Sequence, residues 1–218
     1  MKGDKLIIQD CHVEAARQIL ELIQRQIATS EGPFILTVGG ESGSGKSEIA
    51  AALAQLLTGR GIASTTLQQD DYFVYPPKTN AAMRRKSLDH VGLRELRLEL
   101  LNQHLEQIRR GGRALVKPVV HFEEDRIGEE RLSVEGSQVV IVEGTYTSLL
   151  ENVDRRVFLE RTYEDTRAFR RERGREEQDS FLGKVLEIEH RLIAPHRQRA
   201  DILVSREYEV RQDGQDRE

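Results

Sequence analysis

The feature that most constrains this chain is the run Gly40-Glu41-Ser42-Gly43-Ser44-Gly45-Lys46-Ser47, which satisfies the pattern G-x-x-x-x-G-K-[ST]. Its flanks are the ones that pattern needs. Before it stands Phe34-Ile35-Leu36-Thr37-Val38, a continuous apolar run suited to a buried parallel strand, and after it an alanine- and leucine-rich helical stretch from Ser47 to Thr58. The glycines allow backbone N–H groups to turn inward toward phosphate oxygens, where side chains would collide, and the following helix adds its positive N-terminal end. Lys46 is suited to neutralise β- and γ-phosphates and Ser47 to hold Mg²⁺. Residues 40–47 are therefore expected to bind ATP.

The rest of the chain alternates in the same manner. Val13, Ala16, Ile19, Leu20, Ile23 and Ile27 recur at helical spacing in an N-terminal extension, residues 1–31, that either packs on the sheet or mediates self-association. Strands are expected at Ile62–Leu67, Ala114–Val120, Val139–Val142, Val157–Leu159 and Ile202–Val204. Helices are expected over Leu93–Ile108 and over a long charged stretch from Glu164 to His196. The tail after Val210 is polar and expected to fray. This order implies one α/β domain of the P-loop NTPase type, three layers with a mainly parallel sheet. The charged segment around residues 118–135 is expected to form a small lobe over one end of the sheet, and residues 164–180 an arginine-rich lid.

Several acids fall where such a sheet opens onto a ligand. The second strand empties into Gln69-Asp70-Asp71-Tyr72-Phe73, just past a strand carboxyl end. Asp70 there can take the proton of an attacking hydroxyl, the plainer alternative being a helix cap or turn acid. Asp71 is open between Mg²⁺ binding and capping. Glu143 follows an apolar strand and precedes Gly144, a place for an Mg²⁺-binding acid or for one bonded to nearby backbone. The arginines from Arg167 to Arg175 suit phosphate oxygens on a mobile lid, or else form a solvated helix face with compensating acids. Asp89-His90 offers either a helix cap or a substrate ligand. His12, His104, His190 and His196 lack metal-like spacing and read as ordinary surface or partly buried residues.

Over roughly residues 34–205 these pieces resemble the uridine kinase, phosphoribulokinase and pantothenate kinase group of P-loop kinases, uridine kinase above all. The anchors are the phosphate loop, Gln69-Asp70-Asp71-Tyr72-Phe73, Asp89-His90, Pro118-Val119-Val120-His121-Phe122, Val142-Glu143-Gly144, Glu172-Arg173-Gly174-Arg175 and Ala200-Asp201-Ile202-Leu203-Val204. The resemblance implies that Asp70 is the catalytic base, that Lys46 serves transfer, and that Ser47 and Glu143 serve Mg²⁺. It places Arg173 and Arg175 in a nucleotide-covering lid, makes Asp89 a ribose-binding aspartate, and counts His121 and Arg167 with the substrate side. The pattern departs where uridine kinases read Pro-x-Tyr-Asp-Phe-x-x-His-x-Arg. Val120 and Asp125 stand in place of the tyrosine and histidine that contact the pyrimidine, Val91 replaces a proline, and the lid is shorter.

Composition narrows the partners. A net charge of −4 and mixed-sign charge argue against a nucleic-acid footprint. No apolar stretch is long enough to span a bilayer, and the single cysteine, Cys11, excludes an internal disulfide, which fits a cytoplasmic protein. The expected activity is ATP-dependent phosphorylation of a hydroxyl on a small metabolite, with a uridine-like acceptor first and a sugar or pantothenate-like compound as the alternative. A non-catalytic ATP-binding switch is the reading from another class. Homo-oligomer formation is left open.

Overall fold

The computed structural model describes residues 6–173 and 179–213. Helix α1 (Asp10–Thr29) leads to strand β1 (Phe34–Gly40), the phosphate loop, α2 (Lys46–Gly59) and β2 (Ser64–Gln68). A 3-10 turn at Gln69–Tyr72 carries the chain into α3 (Pro77–Lys86) and α4 (Leu98–Arg109). A hairpin of β3 (Ala114–His121) and β4 (Arg126–Ser133) follows, then β5 (Val139–Glu143), β6 (Arg155–Leu159), α5 (Arg167–Arg173) and α6 (Ser180–Ile193). The last strands are β7 (Ile202–Val204) and β8 (Val210–Gln212).

The main sheet runs in the order β2-β5-β1-β6-β7-β8, parallel except for the antiparallel edge strand β8. Successive side chains of a strand point to opposite faces, so the apolar runs feed two cores at once. Phe34, Leu36, Val38, Val139 and Ile141 pack with α1 and α2, whereas Ile35, Val140 and Val142 pack with Leu101, Leu105 and Ile108 of α4. Further along that second face, Phe158 and Leu203 meet Tyr146 and Ile193. Ala15, Ala16, Ile19, Leu20 and Ile23 of α1 are buried against α2 and the sheet, so the apolar stripe of the N-terminal extension is consumed within the fold.

Four sequence expectations change. The helical stretch expected from Glu164 to His196 is interrupted, since Asp179 is extended and caps α6 by accepting Leu182 N–H at 2.8 Å. The predicted helix from Leu93 breaks into a 3-10 turn at Leu93–Glu95 and starts again at Leu98. Between them Leu96 is extended, because backbone bonds Val74 N–Glu95 O (2.7 Å) and Arg97 N–Tyr72 O (2.8 Å) tie this stretch to the segment after β2. The strand at Ala114 stands outside the main sheet and pairs with β4, so the small lobe is a whole hairpin from 114 to 133. The polar tail begins with a strand, the part after Asp213 lying outside the described residues. Val210–Gln212 pairs with β7, and Val210 N–H donates to Gln18 Oε1 on α1 at 3.3 Å.

Candidate active site

The parallel register brings three loops to one level. Gln68 of β2 and Val38 of β1 both pair with Glu143 of β5, so the Asp70 turn, Glu143 and the phosphate loop converge at the carboxyl edge of the sheet. Within the loop Gly43 and Gly45 have φ of 77° and 101°, where a side chain would be strained. A Cβ on Gly45 would also lie 2.7 Å from the Tyr208 hydroxyl. The Lys46 ammonium reaches back across the loop to Glu41 O at 2.8 Å, and the Ser47 hydroxyl donates to Glu143 Oε2 at 3.1 Å.

Glu143 is buried, and burial followed by the charge of Asp70 pushes its carboxyl up to about 7. Lys46 and the Ser47 hydrogen bond offset part of that. The Glu143 carboxylate and the Ser47 hydroxyl in contact with it are hard-oxygen donors that suit a divalent cation such as Mg²⁺. Asp70 is half-buried and lines the cavity. Asp71 turns the opposite way and is accounted for without a ligand. Its Oδ2 pairs with Lys117 Nζ at 2.6 Å and its Oδ1 accepts Val120 N–H at 3.0 Å, which docks the hairpin on the sheet.

In front of these groups lies a cavity of about 370 Å³. Ser42, Lys46, Ser47, Asp70 and Glu143 line one end, and Tyr75, Asn80, Arg84, Phe122, Phe181 and Glu189 are among the residues lining the other. The arginines at that second end are directed at acids. The Arg84 guanidinium forks onto Glu95 and also bonds Glu189 Oε1 at 2.8 Å. Arg85 pairs with Asp179 at 2.7 Å and lies 4.6 Å over the Phe181 ring.

The other expected residues fall further out. Asp89 is exposed on the 3-10 turn Leu88–His90 and is not part of the cavity wall, while its neighbour His90 bonds Asn80 Oδ1 at 2.9 Å. His121 stands between two wall residues, Val120 and Phe122, with Nδ1 3.9 Å from Glu124. Arg167 is exposed on α5. Arg173 closes α5 but its side chain, like all of Arg175, lies outside the described residues. Arg170 of the same segment packs on the loop, since a Cβ on Gly43 would lie 3.0 Å from its Cγ.

The sequence model of the Phosphoribulokinase / Uridine kinase family matches residues 35–211. This chain belongs to that family. It is thus an ATP-dependent kinase of a small metabolite, a phosphotransferase acting on a hydroxyl. It is 30% identical over 186 residues to a uridine kinase of Ligilactobacillus salivarius, covering 79% of this chain and 84% of that one. It is 28% identical over 213 residues to the bifunctional alpha-galactosidase/sucrose kinase AgaSK of Mediterraneibacter gnavus, covering 91% of this chain but only 23% of that longer protein. A solved structure of a possible uridine kinase from Bacillus stearothermophilus superposes with a TM-score of 0.60 at 19% identity, covering 86% of this chain and 97% of that chain, which shows the shared fold.

Several residues that serve this site gave no signal in the sequence. Glu41 is an expected loop residue, but the use of its carboxylate is not legible in the motif: it accepts Tyr163 N–H at 2.7 Å and pairs with His190 at 2.6 Å. Thr166, Tyr208 and His12 reach the loop from the far side. Their partners are too distant along the chain for any spacing rule to reveal them.

Proposed function

We propose that this kinase transfers the γ-phosphoryl group of ATP to a hydroxyl of an uncharged, sugar-like acceptor, ahead of uridine. The observation that carries the acceptor is the fate of Asp125. Its carboxylate accepts Lys78 N–H at 2.6 Å, Thr79 N–H at 3.2 Å and the Thr79 hydroxyl at 2.8 Å, so it caps the first turn of α3. By resemblance this position belongs to a pyrimidine-reading histidine, and Val120 replaces the accompanying tyrosine. A site that has lost the partners of a base discriminates poorly in favour of it. The acid-paired arginines support a neutral acceptor over an anionic one. Arg84, Asn80 and Glu189 offer donors and acceptors to hydroxyls, beside the apolar faces of Tyr75, Phe122 and Phe181. AgaSK carries sucrose kinase in its name, in keeping with this reading.

On the donor side the loop N–H groups and Lys46 hold the triphosphate, and Ser47 and Glu143 would hold Mg²⁺ with Asp70 close by. Held there, Mg²⁺ would supply positive charge to offset that of the phosphates. Asp70 takes the proton of the acceptor hydroxyl as its oxygen bonds the γ-phosphorus and the bond to ADP breaks. The test is an ATP-consumption screen over neutral sugars, uridine, glycerate and pantothenate. A neutral sugar is expected to lead uridine by roughly tenfold or more in kcat/KM. Asp70→Asn is expected to lower kcat by about 10²–10⁴ while nucleotide affinity holds. Uridine as the best acceptor, or near-normal turnover in Asp70→Asn, contradicts the respective assignment.

A further inference from the structure

The phosphate loop must present N–H groups on its inner face, so its carbonyls must be held outward, and the structure shows what holds them. In a trans peptide the C=O and the following N–H point in opposite directions. Two buried hydroxyls grip alternate carbonyls from outside. Thr166 Oγ1 lies 3.0 Å from Ser42 O and from Thr162 O, which share its one hydrogen, and Tyr208 Oη donates to Ser44 O at 3.1 Å. Each grip turns the next amide, that of Gly43 or of Gly45, toward the phosphate side.

The tyrosine's single proton is committed by its neighbours. Gln9 N–H donates to His12 Nδ1 at 3.1 Å, so the neutral imidazole carries its hydrogen on Nε2. Burial, ahead of the opposing charge of Glu48, holds the His12 pKa below the ordinary value, consistent with the neutral ring. His12 Nε2 then donates to Tyr208 Oη at 3.0 Å, and Arg161 Nη1 donates to the same oxygen at 2.6 Å. Both acceptor positions are filled, and the hydroxyl hydrogen is left for Ser44 O. Tyr208 sits at φ 66°, a conformation seldom adopted by a bulky residue, in the turn between β7 and β8 closed by Tyr208 N–Ser205 O at 3.1 Å. The His12 ring meets it edge-on at 4.7 Å, and the Arg161 guanidinium lies 4.9 Å over its face.

We infer that Tyr208, ordered by His12 and Arg161, is a positioning residue for the nucleotide's phosphates, which makes the N-terminal helix part of the nucleotide site. That helix lies outside the residues 35–211 matched by the family model. The inference concerns the ATP side alone and stands or falls separately from the acceptor.

Tyr208→Phe keeps the ring and removes the hydroxyl, and the readout is MgADP affinity by titration calorimetry. The expected result is about a tenfold weaker Kd, ~1.4 kcal/mol. His12→Ala is expected to weaken binding in the same direction by less, and to add nothing in the Tyr208→Phe background. Val204→Ala, which thins the neighbouring core without touching the network, is expected to lower the melting temperature and leave MgADP affinity alone. Wild-type affinity in Tyr208→Phe overturns the inference. So does an equal loss in Val204→Ala, which would assign the effect to general softening, or full additivity of the His12 and Tyr208 changes. If Tyr208→Phe does not fold, His12→Ala decides by the same comparison with Val204→Ala.

Discussion

At the scale of single residues the site holds a carboxylate against its own solvation. Glu143 is buried beside Asp70 and titrates near 7 where the unfolded chain would titrate at 4.5. A raised carboxyl pKa means the folded state keeps its proton to higher pH than the unfolded chain, so ionisation above 7 costs stability and acidification through 7 restores it. Without divalent cations, Glu143→Gln should therefore be more stable than the parent at pH 8, by on the order of 1–3 kcal/mol. The difference in melting temperature should be nearly constant above about pH 7 and shrink as pH falls from 7 toward 4.5, the window in which the folded parent holds a proton that the unfolded chain has lost. On the proposed assignment of Glu143 to Mg²⁺, the same variant should lose most phosphoryl transfer, since Gln lacks the charge that would hold the cation beside Ser47. A stability difference that is flat with pH would show that Glu143 carries no buried charge. Glu143, Asp70, Lys46 and Ser47 can all be found in the sequence because each follows directly from the strand that positions it. Tyr208 and His12 cannot, since they lie 196 positions apart and meet only once the chain has folded.

At the scale of elements, periodicity located the strands of the parallel sheet and the helices α1, α2 and α4 within a few residues. It failed where tertiary backbone bonds outcompeted it. Leucine spacing continues through Leu96, yet that residue is extended and bridges to Phe73. Local pattern also could not separate a sheet strand from a hairpin strand at Ala114, because the choice rests on the buried Asp71–Lys117 pair that pins the hairpin to the end of β2. The hairpin in turn supports α3 through Asp125, itself in a left-handed turn at φ 47°. Asp125→Ala should therefore act on α3 as a lost N-cap. The expected cost is about 1 kcal/mol, or roughly 2–4 °C in melting temperature for a domain of this size. Because Asn80, Arg84 and Arg85 of α3 line the part of the cavity proposed to take the acceptor, acceptor KM should rise several-fold while ATP KM stays put. Asp125→Asn, which keeps an acceptor oxygen, should recover most of both losses. An equal rise in both KM values would place the effect outside α3.

At the scale of the molecule, the sheet separates two cores, and the cavity proposed for the acceptor lies at its carboxyl edge between α3, the hairpin and α6. One face packs against α4, while the other, with α1 and α2, is a continuous core beneath the phosphate loop. Leu20 is fully buried in that core, two turns along α1 from His12. Leu20→Ala removes packing but no polar contact, and should cost about 2–5 kcal/mol of stability. Ligand binding to the native state adds RT ln(1 + [L]/Kd) whatever the starting stability. The stabilisation conferred by a fixed, saturating MgADP concentration should therefore match the parent's in Leu20→Ala, although both unfolding curves move down. Tyr208→Phe should behave in the opposite way, with a small change in the free protein and a reduced MgADP increment. Denaturant unfolding of the three proteins with and without MgADP measures all of these quantities. If Leu20→Ala also lost the nucleotide increment, the core of α1 and the aim of the phosphate loop would be one mechanical unit, and the assignment of positioning to the Tyr208 hydroxyl alone would not stand.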